Sequence, residues 1–207
     1  MEAPTANSPV KIILGSSSIA RRDILAKMGY EFTVASADID EKSIRKEQPE
    51  ELVMALAEAK AEAILQRLPV HDYKKDAVPT LLITCDQVVV YEGAIREKPS
   101  NEEEARQFLK GYSGSHAATV SSVLVTNLKT GFRKVDFDRV EIYFREIHDE
   151  VIEKLIEEGH VLRVAGGLII EHHLVLPYVK KVVGTTDSVM GLPKALTERL
   201  MKEALAL

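Results

Sequence analysis

A mixed α/β fold is predicted by three observations. Short apolar runs of strand length alternate with amphipathic stretches of helical spacing along most of the chain. Two long alternating runs, Ala117 to Asn127 and Phe132 to Phe144, flank a Lys129-Thr130-Gly131 turn and read as a hairpin. A hairpin among crossovers excludes a purely parallel sheet. With 207 residues, 45% of them hydrophobic, the chain has enough apolar surface for one large domain or two lobes sharing a core. The expected organisation is a single domain over 1–207 with a loosely held N-terminus over about 1–9.

Composition narrows the function classes. No apolar run approaches the ~20 residues that span a bilayer, and the start, MEAPTANSP, has the form of neither a signal nor a transit peptide. One cysteine, Cys85, gives no disulfide framework and no zinc cluster. The cytoplasm is the expected compartment. A net charge of −5 argues against general nucleic-acid or membrane binding, so an anionic ligand would need locally concentrated arginines and lysines. There is no Walker A, GxGxxG or HExxH motif.

Taken in order, Lys11 to Leu14 reads as a buried strand, stopped by Gly15 and three serines that can cap a helix from Ile19 to Gly29. Tyr30 to Ser36 alternates as a strand and runs into three carboxylates, Asp38, Asp40 and Glu41. A long helix is expected from Pro49 to Leu68, then a loop from Pro69 to Thr80. Leu81 to Val90 is a strand, and Tyr91 to Ala94 a turn. Ser100 and Glu103 form a capping box for a helix ending at Gly111. After the hairpin, Asp149 to Glu158 is a helix stopped by Gly159. Val161 to Glu171, with Ala165-Gly166-Gly167, suits backbone approaching a ligand, or a bend. His172-His173 reads as structural, and Met190 to Pro193 leads into a last helix.

Three residues stand out of place. Arg21 lies in a helix's first turn, where its charge opposes the dipole, and shares the inward face of Ile24, Leu25 and Met28. Either a carboxylate pairs with it or a phosphate on the serine turn does. Lys60 projects from the middle of the stripe Val53, Leu56, Ala57, Ile64, Leu68, so it snorkels to the rim, the commoner outcome, or is held inward for a ligand. Its replacement by alanine, at least as good a helix former, is expected to weaken ligand binding and turnover without lowering thermal stability much. Asp86, with Gln87, interrupts an otherwise apolar strand, and a buried carboxylate without partners costs several kcal/mol. It is expected to face a cleft, hold a metal or act as a base. Lys98 is either a solvated loop charge or a residue returning to that cleft, and Cys85 reads as a small buried residue.

These residues fall within motifs that resemble the Maf family: S-S-S-I-A-R-R-D-I-L at Ser16 to Leu25, D-I-D-E at Asp38 to Glu41, L-A-E-A-K-A at Leu56 to Ala61, C-D-Q-V-V at Cys85 to Val89, E-K-P at Glu97 to Pro99, and G-L-P near the end. The resemblance runs from about Lys11 to Leu200. It implies a nucleoside triphosphate pyrophosphatase with an inosine-triphosphatase-like fold, a mixed sheet and two lobes around a central cleft, and a homodimer. Its non-catalytic alternative is a regulator of cell division that inhibits septum formation. Carried over, the phosphate-binding residues are Ser16, Ser18, Arg21, Arg22, Lys60 and Lys98. Asp86 is the base or metal-holding acid and Glu41 the second carboxylate. A divalent cation, Mg²⁺ or Mn²⁺, is the implied cofactor. The implied reaction releases a nucleoside monophosphate and pyrophosphate from a nucleoside triphosphate.

The base is addressed by three positions. One family branch resembles a dTTP/UTP pyrophosphatase with Arg, Thr and Gln there; another resembles a 7-methyl-GTP pyrophosphatase with Trp, Gln and Glu. This chain has Ala20, Gln87 and Glu171, two of three matching the second branch. It departs from the family pattern at Ala20, at Arg163-Val164 and at Gly167 to Ile170. The expectation is therefore 7-methyl-GTP-type specificity, with dTTP/UTP as the alternative.

Overall fold

The structure is a computed structural model that describes residues 10–206; the N-terminal segment expected to be loosely held, about 1–9, lies outside them. The elements run β1 (Lys11–Gly15), α1 (Ile19–Lys27), β2 (Thr33–Val34), α2 (Pro49–Leu65), α3 (Val70–Tyr73), β3 (Thr80–Tyr91), β4 (Ala94–Arg96), α4 (Glu102–Tyr112), β5 (His116–Asn127), β6 (Arg133–Phe144), α5 (Asp149–Glu158), β7 (Val179–Val183), α6 (Thr186–Val189) and α7 (Lys194–Leu205). The strand order is β2-β1-β3-β5-β6-β7, with β4 paired to β3 off this path. β1 pairs in parallel with β2 and β3, whereas β4 on β3 and β7 on β6 are antiparallel. The sheet is therefore mixed and the fold α/β, as the hairpin and crossovers predicted.

The chain divides into two compact units. The first takes the described residues up to Asp86, Ser122–Asp138 and the chain from Gly191 onward; the second takes Gln87–Ser121 and Arg139–Met190. In the first, α2 lies close on the sheet because the residues at the contact are small. Ala57 and Ala61 are fully buried with Ile13, Ile64, Leu82 and Leu124. A Cβ on Gly15 would stand 2.6 Å from Ile64 Cδ1 and 2.7 Å from Thr84 Cγ2, so any larger residue there would have to push α2 or those side chains aside. Two strand hydroxyls also dock the helix, Thr84 Oγ1 donating to Ala57 O at 2.8 Å and Ser122 Oγ to Val53 O at 2.6 Å. Those carbonyls are one helical turn apart, so the hydroxyls fix the rotation of α2 about its axis as well as its height.

In the second unit, the core gathers Val89, Leu109, Tyr112, Ile142, Phe144, Ile152 and Leu155. α5 ends at Gly159 in the left-handed region (φ 76°), as its sequence predicted.

Several boundaries differ from expectation, for local reasons. The Tyr30–Ser36 strand is only Thr33–Val34, both exposed, as befits an edge strand on the short β1. The long helix stops at Leu65; Leu68 still packs against the same core from beyond its end. A single helical turn, α3, interrupts the expected loop. α4 is capped by Asn101, whose Oδ1 accepts from Glu104 N at 2.9 Å, while Glu104 Oε2 accepts from Ser100 N at 2.6 Å. The reciprocal cap is thus one residue later than Ser100/Glu103. Gly111 does not end that helix but lies within it; its missing Cβ leaves room for Tyr91 and Arg96, 3.2–3.3 Å from where it would stand.

Candidate active site

In the first unit, β1 delivers the serine turn and α1 the arginines. Ser18 caps α1, its Oγ accepting from Arg21 N at 3.4 Å. Buried Ser16 accepts from Ser18 N and from Arg21 Nη1, both at 3.2 Å. Each hydroxyl is an acceptor in these bonds, so its own O–H proton remains to be donated. Arg21 Nε donates to Gly191 O at 2.8 Å. Its two partners are thus a carbonyl and a hydroxyl, neither of which cancels its charge. Arg22 Nε is buried with no hydrogen-bond partner among the described residues. An unpaired buried guanidinium nitrogen is costly, and a phosphate oxygen would satisfy it. Ala20, between these residues and Ser18, is half-buried.

Lys60 is held inward rather than snorkelling. Its Nζ lies 2.6 Å from Asp86 Oδ1, 26 residues away in sequence, and 3.1 Å from Glu41 Oε1, with its side chain 13% exposed. The small residues and docked carbonyls of α2 set this register, since Lys60 follows Ala57 by three positions. Asp86 is 7% exposed, and Ser122 Oγ accepts from its backbone N–H at 3.2 Å. Burial pushes its carboxyl above the ordinary aspartate range; Lys60 and Arg21 pull it down without overcoming that. Cys85 is fully buried and its thiol is likewise raised by burial, which leaves it inert.

Asp86 and Glu41 direct hard carboxylate oxygens at one cationic point, the position Lys60 Nζ occupies. Among the described residues no group of three or more His, Cys, Asp or Glu is placed to hold a metal. Carboxylate oxygens are the hard donors that a magnesium-type ion takes alongside water and phosphate oxygens, so the donor chemistry fits the implied cation, which would have to bind beside Lys60 Nζ and not in its place.

In the second unit, Gln87 opens a separate arrangement. Its Nε2 faces Ser121 Oγ at 2.8 Å, Ser188 O at 3.1 Å and Val189 O at 2.8 Å. Two of these are backbone carbonyls that only accept, so the atom facing them must be the amide nitrogen. The third, Ser121 Oγ, donates its proton to Ser188 O at 3.0 Å and so accepts as well. Both N–H protons of Gln87 are committed within the protein, and Oε1 alone is left to offer a ligand. Lys98 is exposed between Glu97, whose carbonyl accepts from Gly166 N at 2.9 Å, and buried Pro99. Glu171 is exposed in the turn that follows Ala165–Gly167. His172 pairs with Glu158 and stacks on His173, the structural role expected.

Six of the candidate residues in the first unit are thus brought together: Ser16, Ser18 and Arg21 are linked in one hydrogen-bonded turn, and Glu41, Lys60 and Asp86 in one ion cluster. Three supporting residues were not foreseen. Ser121 and Ser122 could have been found by the rule that found Asp86, as polar residues inside an apolar strand. Gly191 carried a weaker signal, its place in the G-L-P motif.

The Maf-like protein family model matches residues 11–204. The chain belongs to the Maf-like protein family. Among its Maf relatives, a 7-methyl-GTP pyrophosphatase of Dictyostelium discoideum is 41% identical over 192 residues, 93% of this chain and 96% of that protein. A dTTP/UTP pyrophosphatase of Alkaliphilus metalliredigens is 32% identical over 183 residues, 88% of this chain and 90% of that protein. A nucleoside triphosphate pyrophosphatase of Salinispora tropica is 31% identical over 196 residues, 94% and 84% of the two chains.

Proposed function

We propose that this Maf-like protein is a nucleoside triphosphate pyrophosphatase that prefers 7-methyl-GTP and works as a cytoplasmic homodimer with Mg²⁺ or Mn²⁺. The observation that carries the reading is the buried Lys60–Asp86 pair beside two arginines whose charges are not consumed by the bonds they make. No helix among the described residues is long and apolar enough to cross a membrane.

The chain's own residues account for the steps. The attacking water gives its proton to the Asp86 carboxylate, which Lys60 holds in place. Its oxygen bonds to the α-phosphorus as the bond from that phosphorus to the bridging oxygen breaks, and pyrophosphate leaves. Arg21, held rigidly by Gly191 O and Ser16, neutralises charge on the leaving group together with Arg22. Ser16 and Ser18 donate their free hydroxyl protons to phosphate oxygens. Lys60 orients the Asp86 carboxylate by its 2.6 Å bond. Lys98 keeps the pyrophosphate-binding role that family resemblance gives it. Asp86 and Glu41 would hold a divalent cation, which when bound would supply Lewis-acid polarisation of the phosphoryl oxygens.

Base preference follows from donor and acceptor counting. Gln87 presents only an acceptor, and Glu171 is acceptor-only when ionised. Two acceptors match the adjacent N1–H and N2 amine of guanine, whereas uracil and thymine offer one N–H flanked by two carbonyls. The carboxylate of Glu171 also suits the positive charge of a 7-methylated purine. Ala20 lacks the aromatic face that would stack on that cation, which removes about 0.5–2 kcal/mol of attraction. The test is a nucleotide panel with Mg²⁺ or Mn²⁺, coupled to an inorganic pyrophosphatase. No turnover of any nucleoside triphosphate would sink the enzyme reading; preference for dTTP or UTP would sink the base assignment alone.

A further inference from the structure

The turn that leads to Glu171 is built on Gly166, which no other residue could replace. Its backbone is left-handed (φ 62°, ψ 10°), and a Cβ there would stand 2.6 Å from Val89 Cβ and 2.7 Å from Tyr112 Oη. Val89 is two residues beyond Gln87 on β3, so the turn is pressed against the strand that carries the proposed base-reading amide.

Two hydrogen bonds seat it. Gly166 N donates to Glu97 O at 2.9 Å, and Tyr112 Oη donates to Gly166 O at 2.7 Å. Tyr112 is the last residue of α4 and fully buried. Its ring stacks on Phe144 at 5.8 Å and meets the edge of Tyr91 at 5.8 Å. Burial pushes its hydroxyl up to about 12, so it stays a donor through the working pH range. Arg96 completes the arrangement. Its guanidinium lies 4.1 Å from the Tyr91 ring, 4.4 Å from Phe108 and 5.1 Å from Tyr112, and Nη1 donates to Phe108 O at 3.2 Å. Arg96 directly precedes Glu97, so both residues that fasten the turn are themselves fastened.

A tyrosine spent on a glycine carbonyl in an apolar core has a simpler alternative, phenylalanine, which would fill the same space without a polar group to satisfy. We propose that Tyr112 is a positioning residue for base selection: its hydroxyl holds the Gly166 turn so that Glu171 is presented in register with Gln87. This rests on the 7-methyl-GTP reading given above.

The experiment compares kcat/KM for 7-methyl-GTP and UTP in wild type, Tyr112→Phe, Glu171→Gln and the double variant, with the full chain and Mg²⁺. Tyr112→Phe is expected to lower the 7-methyl-GTP to UTP ratio by about three- to tenfold, the worth of one neutral hydrogen bond. In the Glu171→Gln background it should leave the ratio where Glu171→Gln alone put it, because it acts through that residue. A purely structural role would lower Tm and both activities together and leave the ratio unchanged, which overturns the proposal; so would effects on the ratio that multiply. Arg96→Gln loosens the same turn from the β4 side and is the second variant should Tyr112→Phe fail to fold; an unchanged ratio there also overturns the proposal. A wild type that prefers UTP removes the substrate reading, and this inference with it.

Discussion

Replacing Lys60 by methionine gives the sharpest test of the ion cluster. Helix propensity alone makes such a change nearly free. The geometry reverses that expectation, because Lys60 Nζ is the group bonded to Asp86 Oδ1 and Asp86 is 7% exposed. Removing one partner of a buried pair costs about 3–5 kcal/mol when the other is left charged. The carboxyl can escape by taking up a proton, and the ceiling on that route depends on pH. From an unfolded value of 3.8, holding the proton costs at most about 1.36 kcal/mol per pH unit above it, roughly 1.6 kcal/mol at pH 5 and 5 kcal/mol at pH 7.5. The sign follows: a carboxyl whose folded pKa is raised weakens the fold as pH climbs from its unfolded toward its folded value, and losing Lys60 raises the folded value further. Lys60→Met should therefore lose about 3–5 kcal/mol at pH 7.5 but no more than about 1.6 kcal/mol at pH 5. For a chain of this size that is a fall in Tm of roughly 6–20 °C at pH 7.5 and under about 6 °C at pH 5. Calorimetry of wild type and variant at both pH values, in chelator, measures it. Equal deficits at the two pH values would refute the reasoning, and no deficit at pH 7.5 would show that Asp86 is not paired.

Three further outcomes are expected. Asp86→Asn should lose about 10²–10⁴-fold in kcat yet cost less stability than Lys60→Met, since Lys60 keeps Glu41 at 3.1 Å; more than a tenth of wild-type kcat would remove Asp86 from its role. 7-Methyl-ITP, which lacks the N2 amine, should be turned over about 10–100-fold less efficiently than 7-methyl-GTP, the worth of a hydrogen bond to a charged group. Glu171→Gln should narrow that gap, and equal efficiency in wild type would show that the amine is not read. Gly15→Ala should cost about 1–3 kcal/mol by overpacking against Ile64 and Thr84, measured by denaturant unfolding, and an unchanged midpoint would mean that α2 is free to shift.

Much of the fold was legible because it is written locally. The apolar run of β1, the serine cap of α1, Pro49 opening α2 and Gly159 ending α5 each carry their own chemical reason, and each element lies where that reason puts it. What the sequence hid is set by partners. The cap of α4 moved to Asn101 because Glu104 reaches back to Ser100 N, and Gly111 lies inside the helix, its missing Cβ serving to make room for Tyr91 and Arg96. β7 could not be read from Val179-Lys180-Lys181-Val182-Val183 alone, since the two valines that pack on the core, Val179 and Val182, stand three apart across a register shift and show no period of two. The site shows the same division. Arg21, Lys60 and Asp86 were visible as residues that break their local pattern. That Lys60 belongs to Asp86 across 26 residues, and that Gln87 has no donor left to give, are properties of pairing.

That division explains how one scaffold can be specific for different bases. Relatives named for 7-methyl-GTP and for dTTP/UTP each align over most of this chain, so the fold common to them does not choose the base. The choice must lie in a few side chains and in what those side chains have left to offer. An amide is ambiguous until its surroundings commit it, because rotation about its last bond exchanges donor for acceptor at little cost. Here the carbonyls of Ser188 and Val189 commit Gln87, and a serine at 121 seconds them. On the proposed reading, base selection depends partly on residues that need never touch the base. Changing α6 or Ser121 should alter selection while Gln87 itself stays in place.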